Sequence, residues 1–537
     1  MEIVLLAASR EFVSQVKKDM ANRLRLASYL KFTRIVFGGG MSKRDLLRSI
    51  TFGHRVAEEE TDVLSTYFVE TDSWDRLLRG NIDVVYGAKG AGKSALYALL
   101  LSRTNELFDR NVLLVPAENP RGAPAFRDLL TDPPASEREF IGLWKLYFAS
   151  LLHGMLREYL PETEQFKQLE EALDREGLVK GSLTLAGLLK SVTEYVRRAF
   201  NPQAIEGGIK VDPVTQAPVG FTGKIIFSEP GAKSADPKLR SVDRLLTLAA
   251  EAFSLKHFTA WIVLDRLDVA FAENPELEVN ALRALFRVYL DLLVHPNIQL
   301  KIFLRTDIWA RITDSGFREA SHITKHVTIS WNRNSLLNLL IRRTVHNQPI
   351  RDGYSVTTEL ANQSVAEQER FFYRICPDKV EAGVRQSTTL DWLLSHTRDG
   401  TQVNAPREFI HMMNSLREVQ VRRLELGDAE PENELLFARG TFKEALPEVS
   451  KVRLEQTLYS EQADMKPWME KLRGEKTSQT PETLAVIWGI STDEAAKRAE
   501  DLAGIGFFEV RGQHPNKSYW VPFLYRDALD MVQGAAD

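Results

Sequence analysis

The 537-residue chain sets 69 lysines and arginines against 73 acidic residues, and its formal charge of −4 gives no global pull toward nucleic acid or an anionic membrane. At 44% hydrophobic residues it can fill its interior, but it is too long for one core to keep growing, which predicts two or three soluble domains. A single cysteine, Cys376, excludes an internal disulfide and a cysteine zinc site and points to a reducing cytoplasm; no run of about 18 apolar residues predicts a membrane span.

At the N-terminus the apolar run Ile3 to Ala8 is too short for a signal segment, and Met1 to Gly40 closes on the flexible "FGGG", which makes Met41 an alternative start. The next informative stretch is "DVVYGAKGAGKSALYALL", Asp83 to Leu100. Residues 87 to 94 satisfy G-x-x-x-x-G-K-[ST], with a β-branched run before them and a helix-forming run after them. Glycines let backbone N–H groups curl around a polyphosphate, and the helix N-terminus adds its positive dipole end. Gly87, Ala88, Lys89, Gly90, Ala91, Gly92, Lys93, Ser94 and Ala95 are therefore the expected nucleotide-binding residues. Lys93 is expected to reach the β- and γ-phosphates of ATP, and Ser94 to ligate Mg²⁺.

A neighbouring strand is expected at Asn111 to Ala117, followed by the helical "REFIGLWKLYFASLLHGMLREYL". Gly207 to Phe227 reads as an exposed hairpin, and "SEPGAKSADPK" as a loop. The distance from Lys93 to Asp265 exceeds what one helix and one strand need, which predicts a helical insertion with a hairpin, a place for a partner or a neighbouring subunit. "FTAWIVLDRLDVAF" then supplies the acid: an apolar strand ending in Asp265, the Walker B position, with Asp268 three residues on. Arg266 stands where many ATPases carry a glutamate that polarises water, so either the general base comes from Asp268, Glu273 or a residue elsewhere, or hydrolysis is slow. "IQLKIFLRTDIW" predicts a third strand ending at Arg305, which would present its cation to the γ-phosphate. Arg283, Arg287, Arg311 and Arg318 flank this strand as candidates for an arginine finger donated between subunits. A helix is expected from Pro406, and Arg407 in its first turn opposes the helix dipole unless an anion lies nearby.

From about Glu444, "TPETLAVIWGI" and "STDEAAKRAEDLAGIG" read as two helices, the second capped by Ser491 or Thr492 and closed by Gly504. "FFEVRGQHPNKSYWVP" follows as strand, turn and strand. This is the order of a winged helix. Its second helix sets Asp493, Glu494, Glu500 and Asp501 against Lys497 and Arg498, and its wing offers Arg511, His514 and Lys517, so packing against protein is favoured over reading DNA.

The segments "YFVETDSWDRLL", "YGAKGAGKSALY", "AENPRGAPAF", "VLDRLD", "KIFLRTDIW" and "APREF" together resemble a bacterial P-loop ATPase family similar to the STAND and KAP branches of the AAA+-like NTPases, over roughly residues 50 to 420. The resemblance implies that Asp265 and Asp268 are paired Walker B acids, Arg305 a sensor 1 equivalent, and Pro406 and Arg407 a sensor 2 equivalent in a helical lid. It also implies that Tyr67, Phe68 and Trp74 lie where such ATPases hold adenine, although aromatics at that spacing are more often core. The expected fold is an α/β P-loop NTPase parallel sheet with a helical insertion, a helical lid and a C-terminal winged-helix-like domain. Its expected division is an N-terminal extension at 1–50, an NTPase domain at 51–330 with the insertion at about 120–245, a lid at 331–443 and the winged-helix-like domain at 444–537. Two functions compete: an ATP-dependent oligomeric switch, which the resemblance sets in prokaryotic anti-phage defence, and a DNA-engaged AAA+-type ATPase resembling replication initiators. A small-molecule kinase is disfavoured, because it needs neither lid nor winged helix.

Overall fold

The structure, a computed structural model, describes residues 41–54, 59–60, 63–69, 71–117, 136–179, 184–200, 225–227, 240–267, 275–314, 316–513 and 517–536. The extension up to Gly40, residues 118–126 of "AENPRGAPAF", residues 207–224 of the expected hairpin, the loop after it, and Asp268, Glu273 and His514 lie outside the described residues.

The apolar runs form the strands β1 (Val84–Gly87), β2 (Val112–Pro116), β3 (Thr259–Leu264), β4 (Ile298–Arg305) and β5 (His326–Ile329). They make one sheet, ordered β2-β3-β4-β1-β5, in which every pairing is parallel. Side chains alternate along a strand, so Val84, Ile262 and Ile302 enter one apolar layer while Val85, Val263 and Phe303 enter the other. At β1, β2 and β3 nearly every residue is buried, which is why these strands read as hydrophobic runs.

One face is covered by α1 (Lys93–Ser102), and the other by α2 (Glu137–Tyr159), α3 (Val242–Leu255) and α4 (Pro275–Leu292). Ser136 caps α2 by accepting from the Glu139 amide. Within α2, the Trp144 indole donates to the Ala281 carbonyl at 2.9 Å and the Tyr147 hydroxyl to the Ala117 carbonyl at 2.8 Å, so each buried polar tip is satisfied. The helical part of the expected insertion thus supplies much of one sheet-covering layer. Of the expected hairpin, Ile225–Ile226 pairs in parallel with Arg240–Ser241. At the opposite end of the sheet from the loop, fully buried Lys301 donates to Asp83 Oδ1 and the Ile82 carbonyl, both at 2.8 Å, and the Tyr289 hydroxyl donates to Asp83 Oδ2 at 3.1 Å. This pins β4 to the start of β1.

The rest of the chain builds a second body. The helices α5 (Arg333–His346), α6 (Pro406–Glu425) and α7 (Arg439–Arg453) share one apolar cluster with the helix Lys43–Ser49. The same cluster runs on into β6 (Lys476–Gln479), α8 (Pro481–Trp488), α9 (Thr492–Gly504), β7 (Glu509–Arg511), β8 (Ser518–Trp520) and β9 (Val532–Ala535) through Leu484, Leu502, Tyr519 and Leu529. The four strands form a sheet in the order β9-β6-β8-β7, with β6, β8 and β7 antiparallel. Thr480 and Ser491 cap α8 and α9, and Gly489 ends α8 in the left-handed conformation. Lid and winged helix meet where the Gly400 amide donates to the Gly506 carbonyl at 2.7 Å; a Cβ on Gly400 would lie 2.2 Å from the Phe508 carbonyl oxygen. The fold is a P-loop NTPase parallel sheet with a helical insertion, a helical lid and a C-terminal winged-helix-like domain. Among the described residues no helix is long and apolar enough to cross a membrane.

Candidate nucleotide-binding site

Strand β4 lies between β1 and β3, with Gly87 opposite Arg305 and Leu264 opposite Ile302. That register brings three strand ends to one edge: the loop after β1, Asp265 after β3 and Arg305 closing β4. A single cavity collects them, lined by Lys89, Gly90, Gly92, Lys93, Ser94, Ala95, Asp265, Arg266 and Arg305 from the sheet side. From the lid side it is lined by Leu339, Arg343, Pro406, Arg407 and Ile410.

The loop depends on glycine at two points, Gly90 at φ +78° and Gly92 at φ +98°, where an L-residue is strained. At Gly90 space is also tight, because a Cβ would lie 3.3 Å from both the Ala405 and Arg407 Cβ atoms. The lid helix α6 therefore starts directly against the loop. Lys93 Nζ donates to the Gly87 and Ala88 carbonyls at 3.0 and 3.1 Å, and the Trp331 indole, just past β5, donates to the Ala91 carbonyl at 2.8 Å. These bonds tie the lysine back onto the start of the loop and anchor the loop to the segment after β5.

Asp265 is buried, at 2% exposure, and Arg266 takes a left-handed backbone at φ +57°, rare for a residue with a Cβ. Arg305 is also largely buried and pairs with Asp307 at 2.8 Å and with Glu461 of the C-terminal body at 3.3 Å. Arg407 Nε is buried and makes no hydrogen bond within the described residues. A cation held at a helix start without such a partner suits an anion in the cavity.

At the far end of the cavity lie His54, Glu60, Leu64, Tyr67, Phe68 and Val69. Tyr67 and Phe68 reach it, whereas Trp74, 2% exposed, packs in the sheet core with its ring edge-on to Phe68 at 5.1 Å. Trp74 is therefore a core residue, because the helix Asp72–Leu78 turns it toward the apolar layer beneath α1. Behind Tyr67, Arg343 donates to both Glu60 oxygens at 2.8 and 3.0 Å, to the Phe52 carbonyl at 2.8 Å, and sits 4.7 Å over the Tyr67 ring.

The donor set fits a nucleotide and its metal. One hydroxyl at a helix start and one buried carboxylate are the protein ligands that Mg²⁺ takes when phosphates and water complete its shell. Of the four flanking arginines, Arg283 donates to the Ile312 carbonyl at 3.1 Å, Arg287 pairs with Glu137 and Glu319, and Arg311 pairs with Glu278, while Arg318 is exposed. In the winged helix, Arg498 pairs with Glu494 and sits over Trp468, Lys517 pairs with Glu500, and Arg511 pairs with Glu509.

The local motifs singled out Lys93, Ser94 and Asp265, which line the one cavity, but Trp331, Glu60, Arg343 and Glu461 escaped the sequence reading. A tryptophan directly after the strand beside the P-loop strand was the one usable signal; the others depend on contacts between distant segments.

No protein-family model and no curated protein matches the chain. Among solved structures, the Aeropyrum pernix ORC1 protein in complex with DNA is similar at 13% identity over 91% of this chain and 98% of that one, with a TM-score of 0.32. The Aeropyrum pernix ORC2 protein, solved as ADPNP–ADP complexes, is similar at 10% identity over 89% and 93%, with a TM-score of 0.35. The expected STAND, KAP and bacterial likeness finds no counterpart in these comparisons.

Proposed function

We propose that the chain is an ATP-binding and ATP-hydrolysing P-loop NTPase that works as a nucleotide-dependent switch. The observation that carries this reading is one cavity collecting Lys93, Ser94 and Asp265 from the sheet and Arg407 from the lid. The loop amides and Lys93 hold the phosphates, and Tyr67 and Phe68 lie along the base. Mg²⁺, when bound, neutralises charge on the β- and γ-phosphate oxygens. Ser94 and Asp265 hold it, Arg305 and Arg407 face the γ-phosphate, and Asp268 orients the attacking water. Arg266, in the place of the usual glutamate, makes turnover slow, so binding rather than hydrolysis sets the state. Self-association completes the site with an arginine from a neighbour, and Arg318, exposed and in no ion pair among the described residues, is the candidate. Cys376, fully buried as a thiol, supports a cytoplasmic setting.

In this reading the winged helix packs on protein, because Arg498, Arg511 and Lys517 are paired with acids of the same domain and its second helix carries four acids against two cations. A second reading, a DNA-engaged ATPase resembling replication initiators, is favoured by the order of P-loop core, lid and winged helix. Salt-dependent binding to duplex DNA separates the two.

The test is calorimetric titration with Mg·ATP. Wild type binds, Lys93→Ala does not and keeps its circular dichroism, and Asp265→Asn loses Mg²⁺-dependent hydrolysis; undiminished binding by Lys93→Ala overturns the proposal.

A further inference from the structure

The helix α7 does not stop at Arg453: it continues through the π-type turn Leu454–Tyr459 and ends at Glu461. The terminal segment from Arg453 to Glu461 is held differently at its two ends. At the start, Arg453 donates to Glu408 at 2.9 Å, and both side chains are buried beside the first turn of α6. At the finish, the Glu461 carboxylate leaves its own body and reaches the sheet side of the cavity. It pairs with Lys89 of the loop and accepts from Nη1 and Nη2 of Arg305, each at 3.3 Å. Lys89 and Arg305 line the same cavity as Lys93, Ser94 and Asp265. One carboxylate thus engages two cations that a polyphosphate in this cavity would meet.

We propose that Glu461 is an intramolecular latch, competing with the terminal phosphate of a nucleoside triphosphate for Lys89 and Arg305. The inference rests on the nucleotide-binding reading above. A carboxylate brings one charge and two oxygens, whereas a terminal phosphate brings more charge and three oxygens, so the phosphate wins the cations when it is present. Glu461 is a quarter exposed, which keeps the latch weak enough to be displaced. The turn before it gives way readily, because a π-type segment interrupts the regular i→i−4 ladder. Triphosphate binding frees the segment 454–461, and because that segment leads into the winged-helix-like domain, the occupancy of the cavity is transmitted there. A diphosphate, lacking the terminal phosphate, leaves the latch closed.

Glu461→Gln keeps the size of the side chain and removes its charge; Glu461→Ala also removes its reach. Amide hydrogen exchange without nucleotide and calorimetric titration with Mg·ATP and Mg·ADP give independent readouts. Both variants are expected to exchange faster over 454–461 without nucleotide. Their ATP affinity rises about tenfold, the scale of one charge-assisted hydrogen bond, while ADP affinity stays at the wild-type value. In wild type, Mg·ATP raises exchange over 454–461 and Mg·ADP does not. Unchanged exchange and unchanged ATP affinity in both variants, with wild type binding ATP through Lys93, overturn the latch and leave the nucleotide reading standing. Absence of ATP binding in wild type and in both variants overturns the two together.

Discussion

The sheet core and the C-terminal body are stabilised in different ways, and the cavity lies on the seam between them. In the core, a continuous parallel sheet separates two apolar layers, one beneath α1 and one beneath α2, α3 and α4. In the C-terminal body no such partition exists: lid helices and winged helix share one cluster reaching from Leu336 to Leu529. Around the loop end of the cavity, the contacts joining the two are hydrogen bonds and ion pairs, Trp331 to Ala91 and Lys89 and Arg305 to Glu461. The difference teaches where nucleotide can act. Each body has its own apolar reason to hold together, whereas the seam holds charges that a charged ligand can rearrange.

That contrast is broken most severely from inside the core. Asp83→Ala leaves Lys301 buried without its counter-ion, and loss of one partner of a buried pair costs about 3–5 kcal/mol. Urea unfolding should then show the sheet core melting ahead of the C-terminal body. Within the second body, Gly400→Val forces a side chain onto the Phe508 carbonyl and should cost about 1–3 kcal/mol, the scale of overpacking. Calorimetry should show the C-terminal body losing several degrees while the core transition holds; equal loss in both would mean that the bodies are not separate. At the seam, Arg407→Ala should weaken ATP binding by the value of one charged hydrogen bond, about 1.5–3 kcal/mol, with thermal stability unchanged.

The effect that is smallest near neutral pH concerns His396, stacked between Trp392 at 3.8 Å and Phe523 at 4.1 Å where lid meets winged helix. Burial lowers its pKa to about 4, well below the about 6.5 of an unfolded histidine. The unfolded chain therefore takes up the proton first. The contribution of the neutral ring is fully present above about 6.5 and is lost as the pH falls toward 4. Thermal unfolding of the C-terminal body should fall across that window in wild type, and His396→Phe should flatten the slope.

Legibility in sequence follows the range of the physics. The loop was readable because spacing, glycine conformation and helix dipole are local, and Asp265 because a charge ending an apolar strand stands out. The Ser491 cap is also local, which helped make the winged helix readable from its order of elements. Trp74 was ambiguous for a physical reason: aromatic spacing does not say which way a helix faces, and here it faces the core. Nor does composition reveal that β4 separates β1 from β3 or that α2 forms part of a sheet-covering layer; both follow from tertiary packing. Glu461 could not be found from sequence, since nothing near it signals that its carboxylate ends on Arg305.

The most direct measurement of whether nucleotide joins the two bodies is amide hydrogen exchange with and without Mg·ATP, in wild type and in Lys93→Ala. The account predicts that ATP protects the loop residues 88–96 and the start of α6, residues 406–411, together, and that Lys93→Ala shows neither effect. Protection of the loop with no change in α6, or no protection of either in wild type, would contradict it.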